Sequence, residues 1–159
     1  MFGRLTGIAV LIVLAACSSP PPAPGPVGPT GPIGGAGAGY APGSQQDLAA
    51  TAGDRVFFSY DRSDISPEGQ QILQRQADWL RRYSSVSVTI EGHCDERGTR
   101  EYNLALGERR AQAVKQVLVA MGIPAGRIST ISYGKERPIT PGSSEEAYAQ
   151  NRVGVTTVN

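Results

Sequence analysis

Three side chains that could bind a small charged ligand follow one another in the middle of the chain: an aspartate, an asparagine and an arginine. Asp95, Asn103 and Arg110 lie within the stretch GHCDERGTREYNLALGERR, residues 92–110. A carboxylate accepts hydrogen bonds from an ammonium group, and a guanidinium binds a carboxylate through two parallel hydrogen bonds. Together the three would suit a ligand with a free amino-acid terminus, which carries both charges.

Arg110 is the unusual member of the three because it lies on the apolar side of a predicted helix. It is four residues from both Leu106 and Val114, so all three point along one face. A guanidinium on that face is costly to bury unless it finds a partner or a wet pocket. Two interpretations remain open: Arg110 and Asp95 bridge each other as a structural pair, or each stays partly free for a ligand.

Strands and helices must bring these residues together. Alternation of apolar and polar residues predicts half-buried strands, and apolar residues three and four apart predict helices. Ser66 and Pro67 are strong signals for the start of a helix. The predicted strands are 55–60, 85–93, 127–134 and 152–158, and the predicted helical segments are 67–83, 102–121 and the short 145–150.

This order of elements predicts an α/β domain built from β-α-β units. Crossovers in such units are right-handed, the first strands run parallel, and ligands tend to bind beyond the carboxyl ends of the strands. Asp61 follows the first predicted strand, and Asp95 follows the second. The sequence therefore places the candidate binding residues at the mouth of the sheet.

The N-terminal region has the features of an exported, lipid-anchored chain. The apolar run 7–16 is too short to span a membrane, which takes about 20 residues, and suits a signal peptide at 1–16. The run ends in LAAC, which resembles the lipobox of bacterial lipoproteins and implies lipidation of Cys17. The alternative is an ordinary signal peptide with a chance cysteine.

Residues 17–46 form a predicted tether. No charged residue occurs from Ser18 to Gln46, where Pro, Gly, Ala and Ser dominate. Such a segment cannot bury enough apolar surface to offset its ordering entropy, so we expect a disordered linker. A short run with glycine at every third position resembles collagen, but its length favours a polyproline-like chain over a triple helix. The folded domain is predicted at 47–159.

The central stretch closely resembles the signature of OmpA-like peptidoglycan-binding domains. The matching positions are Gly92, His93, Asp95, Gly98, Tyr102, Asn103, Leu106, Arg110 and Ala111. The resemblance covers residues 55–152 and implies a two-layer α/β sandwich, in which helices pack on a mixed four-stranded sheet. It also implies non-covalent binding of peptidoglycan at the diaminopimelate residue of its stem peptide.

The resemblance further implies a role for each candidate residue. Asp95 would bind the ammonium group of diaminopimelate, and Arg110 its carboxylate. The remaining pocket residues would be Asp61, His93, Arg97, Asn103 and Leu106. The implied location is the outer membrane, lipid-anchored and facing the periplasm, and the implied competing partner is a TolB-like propeller protein.

Charge and cysteine content disfavour two other kinds of chemistry. The formal net charge of +1 argues against nucleic acid as a general partner. Cys94 would have no disulfide partner once Cys17 is lipidated, and the neighbouring Asp95 and Glu96 disfavour its thiolate. Cys94 also stands where the family commonly has Ala or Thr, so we do not expect it to act as a nucleophile.

Three alternative functions would use the same residues differently. An enzyme of the glycosidase type needs two carboxylates in contrasting environments, and nothing in the sequence isolates such a pair among Asp61, Asp64, Asp95 and Glu96. A metal site at His93, Cys94 and Asp95 is disfavoured because neighbours on a strand point to opposite faces. A scaffold that binds only other proteins is the third. We predict no catalytic residue, no metal and no cofactor.

Overall fold

The computed structural model describes residues 39–159. The predicted signal peptide, Cys17 and most of the predicted tether lie outside these residues. The described helices are α1 (Gln45–Thr51), α2 (Pro67–Arg82), α3 (Arg100–Ala120) and α4 (Glu145–Asn151). The described strands are β1 (Arg55–Phe57), β2 (Val88–His93), β3 (Ile128–Gly134) and β4 (Val153–Val158), and a 3-10 turn lies at Ala125–Arg127.

A hydroxyl side chain caps the start of every helix described. Ser44, Ser66, Thr99 and Ser144 each accept a hydrogen bond from the backbone N–H three residues further on. The predicted start of α2 after Ser66 is thereby confirmed. Helix α3 begins at Arg100, two residues earlier than predicted, because Thr99 supplies the cap.

The strands form one mixed sheet in the order β1-β4-β2-β3. Strands β2 and β3 pair in parallel, whereas β4 is antiparallel to both of its neighbours. Strands β1 and β2 therefore run in the same direction, as predicted, but β4 lies between them. This insertion brings the start of β4 beside the carboxyl end of β2.

Strand β1 is shorter than the predicted 55–60. The N–H of Phe58 still donates to the carbonyl of Arg152 at 2.8 Å, and the chain then leaves the sheet. Asp61 has a φ of 56°, a left-handed conformation that is uncommon for a residue other than glycine. The segment after β1 is thus a turn that carries Asp61 to the edge of the site described below.

Helices α2 and α3 pack on one face of the sheet and enclose the core. Among the fully buried side chains are Leu73, Leu80, Val88, Ile90, Val114 and Leu118. Helix α3 lies closest to the sheet where Gly92 of β2 meets Gly107, since a Cβ added to Gly92 would lie 1.9 Å from the Gly107 carbonyl oxygen. Two glycines are what allow the helix to lie against this part of the strand.

Helix α1 is an element that periodicity did not predict, and it begins before the expected domain boundary at residue 47. Leu48 is fully buried in the core. The Asp47 carboxylate accepts hydrogen bonds from the Trp79 indole at 3.0 Å and from the Gly43 N–H at 2.9 Å. Seven residues are too few to display a helical pattern, and tertiary contacts hold such a helix in place.

The beginning of α1 is also fastened to the last strand. The side chain of Gln45 donates to the Thr156 carbonyl at 3.1 Å and accepts from the Val158 N–H at 2.8 Å. These contacts lie at the carboxyl end of β4, which is the end of the sheet opposite to the carboxyl end of β2. Within residues 39–159, no helix has both the length and the apolar character needed to cross a membrane.

Candidate functional site

A cavity of about 260 Å³ lies between the carboxyl end of β2 and the first turns of α3. Its lining includes Asp61, Asp95, Arg97, Asn103, Leu106 and Arg110. These are six of the seven pocket residues predicted from the sequence. The cavity is at the edge of the sheet where the strand order led us to expect it.

Asp95 lies at the floor of the cavity and is held by two arginines. Its side chain is 5% exposed, and it accepts from the Arg97 guanidinium at 2.6 Å and from Arg152 at 3.3 Å. Burial alone would raise the pKa of the Asp95 carboxyl, but the hydrogen bonds from Arg97 and Arg152 outweigh it and hold that pKa below its ordinary value. Asp95 is therefore a carboxylate at neutral pH.

Arg110 is fully buried and does not bridge Asp95 within the described part of the chain. Its guanidinium donates instead to backbone carbonyls, at 2.8 Å to Arg62, 2.8 Å to His93 and 3.2 Å to Ser59. These bonds use three of the five N–H groups of a guanidinium. The interpretation of a direct structural pair is wrong: Arg110 fixes the turn after β1 to the end of β2, and it lies among the residues that line the cavity.

Arg97 forms one wall of the cavity and is surrounded by aromatic rings. Its guanidinium carbon lies 4.1 Å from the centre of the Tyr60 ring and 4.5 Å from that of Tyr148. It also approaches Glu145 at 3.3 Å, in addition to Asp95. A cation thus occupies a cage of two aromatic faces and two carboxylates.

The loop between β2 and α3 is held in shape by Asn103. The Asn103 side chain donates to the carbonyls of Arg97 at 2.7 Å and Thr99 at 3.1 Å. On the other side of the mouth, the Tyr102 hydroxyl donates to the carboxylate of Asp61. The amide predicted as a pocket residue therefore acts first on the backbone of its own loop, while Asp61 and Tyr102 form the rim.

Comparison with known proteins identifies the family. The sequence model of the OmpA family matches residues 57–152. The peptidoglycan-associated lipoprotein of Brucella melitensis is 54% identical over 126 residues, which cover 79% of this chain and 75% of the relative. That of Rhizobium meliloti is 46% identical over 155 residues, which cover 97% of this chain and 86% of the relative. The chain belongs to the peptidoglycan-associated lipoproteins of the OmpA family.

Solved structures agree with this membership of the OmpA family. The crystal structure of the peptidoglycan-associated lipoprotein from Burkholderia pseudomallei is 37% identical, with a TM-score of 0.65 over 67% of this chain and 90% of that one. The C-terminal domain of Helicobacter pylori MotB, 23% identical with a TM-score of 0.62, shares the fold. The predicted fold class is confirmed, and the family is one of lipoproteins rather than enzymes, as expected.

His93 is the one predicted pocket residue of this OmpA-family signature whose side chain does not line the cavity. Gly92 faces α3, so strand alternation turns the His93 ring towards the opposite face. There the ring is buried against Tyr133, its centre 5.4 Å away, and Nδ1 lies 2.9 Å from the Arg137 carbonyl oxygen. His93 contributes to the site through its backbone carbonyl, which binds Arg110.

Cys94 is a buried thiol whose surroundings disfavour the thiolate. The thiol is buried, and burial raises the pKa of Cys94 to about 11. Within residues 39–159, no group of three His, Cys, Asp or Glu side chains is arranged to hold a metal ion. Burial is the main cause of the raised pKa of Cys94, and the adjacent Asp95 raises it further.

Four residues that the sequence did not single out belong to the site: Tyr60, Glu145, Tyr148 and Arg152. Arg152 is 8% exposed and binds both Asp95 and Glu145. It reaches Asp95, 57 positions earlier, only because β4 pairs beside β2. No local pattern carries that information, since the pairing of distant strands decides it.

Proposed function

We propose that this chain binds peptidoglycan non-covalently, through the diaminopimelate of the stem peptide, in the cavity between Asp95 and Arg110. The observation that carries the proposal is a built cavity whose lining combines the buried carboxylate of Asp95 with the guanidinium of Arg110. A relative that is 54% identical is named a peptidoglycan-associated lipoprotein, which supports the same ligand.

Asp95 and Arg110 would bind oppositely charged groups of the ligand. The carboxylate of Asp95 accepts from the ligand's ammonium group, and the guanidinium of Arg110 donates to its carboxylate. Leu106 supplies the apolar wall beside the ligand's aliphatic chain, while Asp61 and Tyr102 form the rim. Because no bond is made or broken, the attachment is reversible.

The proposed biological role is to tether the outer membrane to the cell wall. Lipids on Cys17 would hold one end in the outer membrane, with the segment between Cys17 and α1 as the linker and the domain from α1 onwards as the wall-binding part facing the periplasm. We place the chain in the Tol–Pal system, which serves envelope integrity and cell division. A TolB-like propeller protein would compete for a surface that overlaps the cavity.

Co-sedimentation with purified diaminopimelate-type sacculi tests the wall-binding proposal. We expect the full chain, purified in mild detergent, to pellet with the sacculi and to release no soluble fragments. Asp95→Asn keeps the shape of the side chain and removes its charge, so it should weaken binding about tenfold or more.

The matched control is Asp64→Asn, which removes the same charge from an exposed carboxylate that pairs with Arg62. It should bind like the wild type. Equal binding by all three proteins would show that the wall is held elsewhere. If the wild type does not pellet with the sacculi, the proposed function is refuted and a scaffold that binds only proteins is favoured.

A further inference from the structure

The cage around Arg97 has the composition of a cation-binding site. Two tyrosine faces lie 4.1 and 4.5 Å from the guanidinium carbon, and two carboxylates, Asp95 and Glu145, lie 2.6 and 3.3 Å from its nitrogens. Aromatic faces combined with carboxylates are the groups that proteins use to bind ammonium ions. The same groups are of the type that binds an external ammonium ion.

Asp95 has no vacant position for such an external cation while Arg97 is bound. One of its oxygens accepts from the Arg97 backbone N–H and Nε, both at 3.2 Å, and the other accepts from Arg97 at 2.6 Å and Arg152 at 3.3 Å. Since the carboxylate is almost completely buried, the open side of Asp95 is the side that Arg97 covers.

We propose that the Arg97 side chain occupies the position that the ligand's ammonium group takes when the ligand binds. A ligand must displace Arg97 from the cage to reach Asp95. This inference rests on the proposed function and changes the role of one residue in it. Arg97, expected to contact the ligand, instead competes with it. The cage of Tyr60, Tyr148, Asp95 and Glu145 becomes the cation subsite.

The structure allows this exchange to occur by rotation of one side chain. The Arg97 side chain is 34% exposed, so it has a path to solvent. Its backbone is fixed, because Asn103 holds the Arg97 carbonyl and Asp95 holds the Arg97 N–H. Arg152 is buried and bound to both carboxylates, so it stays in place.

Charge balance makes the exchange selective. With Arg97 and Arg152 bound, two positive charges face the two carboxylates Asp95 and Glu145. An ammonium that replaces Arg97 preserves this balance, whereas a neutral acylated amine leaves a carboxylate uncompensated. Arg97 therefore makes the site select a ligand with a free, charged amine.

The test compares Arg97→Gln with the wild type, using the full chain in detergent and quantitative co-sedimentation with diaminopimelate-type sacculi. Removing the competitor should tighten binding about tenfold. Sacculi whose amines have been acetylated should bind both proteins weakly and should show no such gain. The control Arg55→Gln removes the same charge from an exposed residue that pairs with Asp54, and should change nothing.

A second measurement uses the wild type alone and does not depend on a stable variant. The Arg97 Nε–H donates to Asp95, so its NMR signal should be protected from exchange with water, and saturation with free diaminopimelic acid should remove that protection. Weaker or unchanged binding by Arg97→Gln, or a signal that stays protected, overturns the inference alone. Loss of wild-type binding would overturn the proposed function and this inference with it.

Discussion

At the scale of single residues, Arg110 fixes the shape of the cavity. It is a cation on the apolar face of α3, and its guanidinium donates hydrogen bonds to three backbone carbonyls rather than to a carboxylate. Those carbonyls belong to the turn after β1 and to the end of β2, which are remote in sequence. The same side chain thus joins these two segments and is one of the residues that line the cavity.

Replacement of Arg110 by alanine should lower the free energy of unfolding by about 3–5 kcal/mol, because buried carbonyls lose their donors and a void remains. Urea titration followed by circular dichroism measures the change. Arg109→Ala, at the adjacent exposed position, is the control and should stay within about 0.5 kcal/mol of the wild type. Equal stabilities of the two variants would contradict the structural role of Arg110.

The candidate site was predictable from sequence where the signal is local. The position of Arg110 on an apolar helical face predicted its burial, and Asp95 after a strand predicted its place at the mouth. The partners of Asp95 were not predictable, because Arg152 arrives through strand pairing. His93 was misplaced because a signature gives the order of residues and not the face of the strand to which each side chain points.

At the scale of elements, the contact between α3 and β2 decides where the site can form. Both Asn103 and Arg110 belong to α3, whereas Asp95 follows β2, so the helix must lie directly on the strand. Gly92 and Gly107 make that approach possible, as an added Cβ on Gly92 would lie 1.9 Å from the Gly107 carbonyl oxygen. The two glycines are therefore a condition for the candidate site as well as for packing.

Gly92→Ala should force α3 away from β2 and lower the free energy of unfolding by about 3 kcal/mol, at the upper end of the usual cost of overpacking. It should also reduce sacculus binding at temperatures where the variant remains folded. Gly126→Ala is the control, since no atom of residues 39–159 lies within 4 Å of a Cβ there and its φ is not in the left-handed region. Thermal melts and co-sedimentation check both effects, and wild-type stability of Gly92→Ala would refute the argument.

Helix positions followed from the sequence more directly than strand order did. Hydroxyl caps and apolar spacing are local, so α2 and α3 were predicted within a few residues of their observed bounds. The order β1-β4-β2-β3 depends on which strands pair across the domain. Helix α1 was missed because its stability comes from contacts with α2 and β4 rather than from its own seven residues.

At the scale of the whole molecule, α1 attaches the described N-terminal segment to the domain core. The Asp47 carboxylate is almost buried and accepts from the Trp79 indole. The backbone hydrogen bond from Gly43, together with that from Trp79, outweighs burial and holds the pKa of Asp47 below its ordinary value. A buried hydrogen bond to a charged group therefore links α1 to α2.

Asp47→Ala should lower the free energy of unfolding by about 1–3 kcal/mol at pH 7, because the Trp79 indole N–H loses its acceptor. The folded-state pKa of Asp47 is lowered, so the charged contribution is fully present above the unfolded pKa of about 3.9 and is lost as pH falls through the folded value. Urea titrations at pH 7 and below pH 3 should show a difference from wild type that shrinks in acid.

Asp78→Ala is the control for this pH dependence, because Asp78 is an exposed carboxylate of α2 paired with Arg81. Its removal should matter little at either pH. A difference between Asp47→Ala and wild type that stayed constant from neutral to acid pH would assign the effect to packing rather than to charge.

The attachment of Gln45 to the carboxyl end of β4 has a mechanical consequence. Under the proposed anchoring, a pulling force would enter at α1 and leave at Asp95, and these points lie at opposite ends of the sheet. The line of force then runs lengthwise along β2 and β4, perpendicular to the hydrogen bonds that join them. Under such a shear force, the hydrogen bonds between β2 and β4 bear the load together, and they do not break one after another.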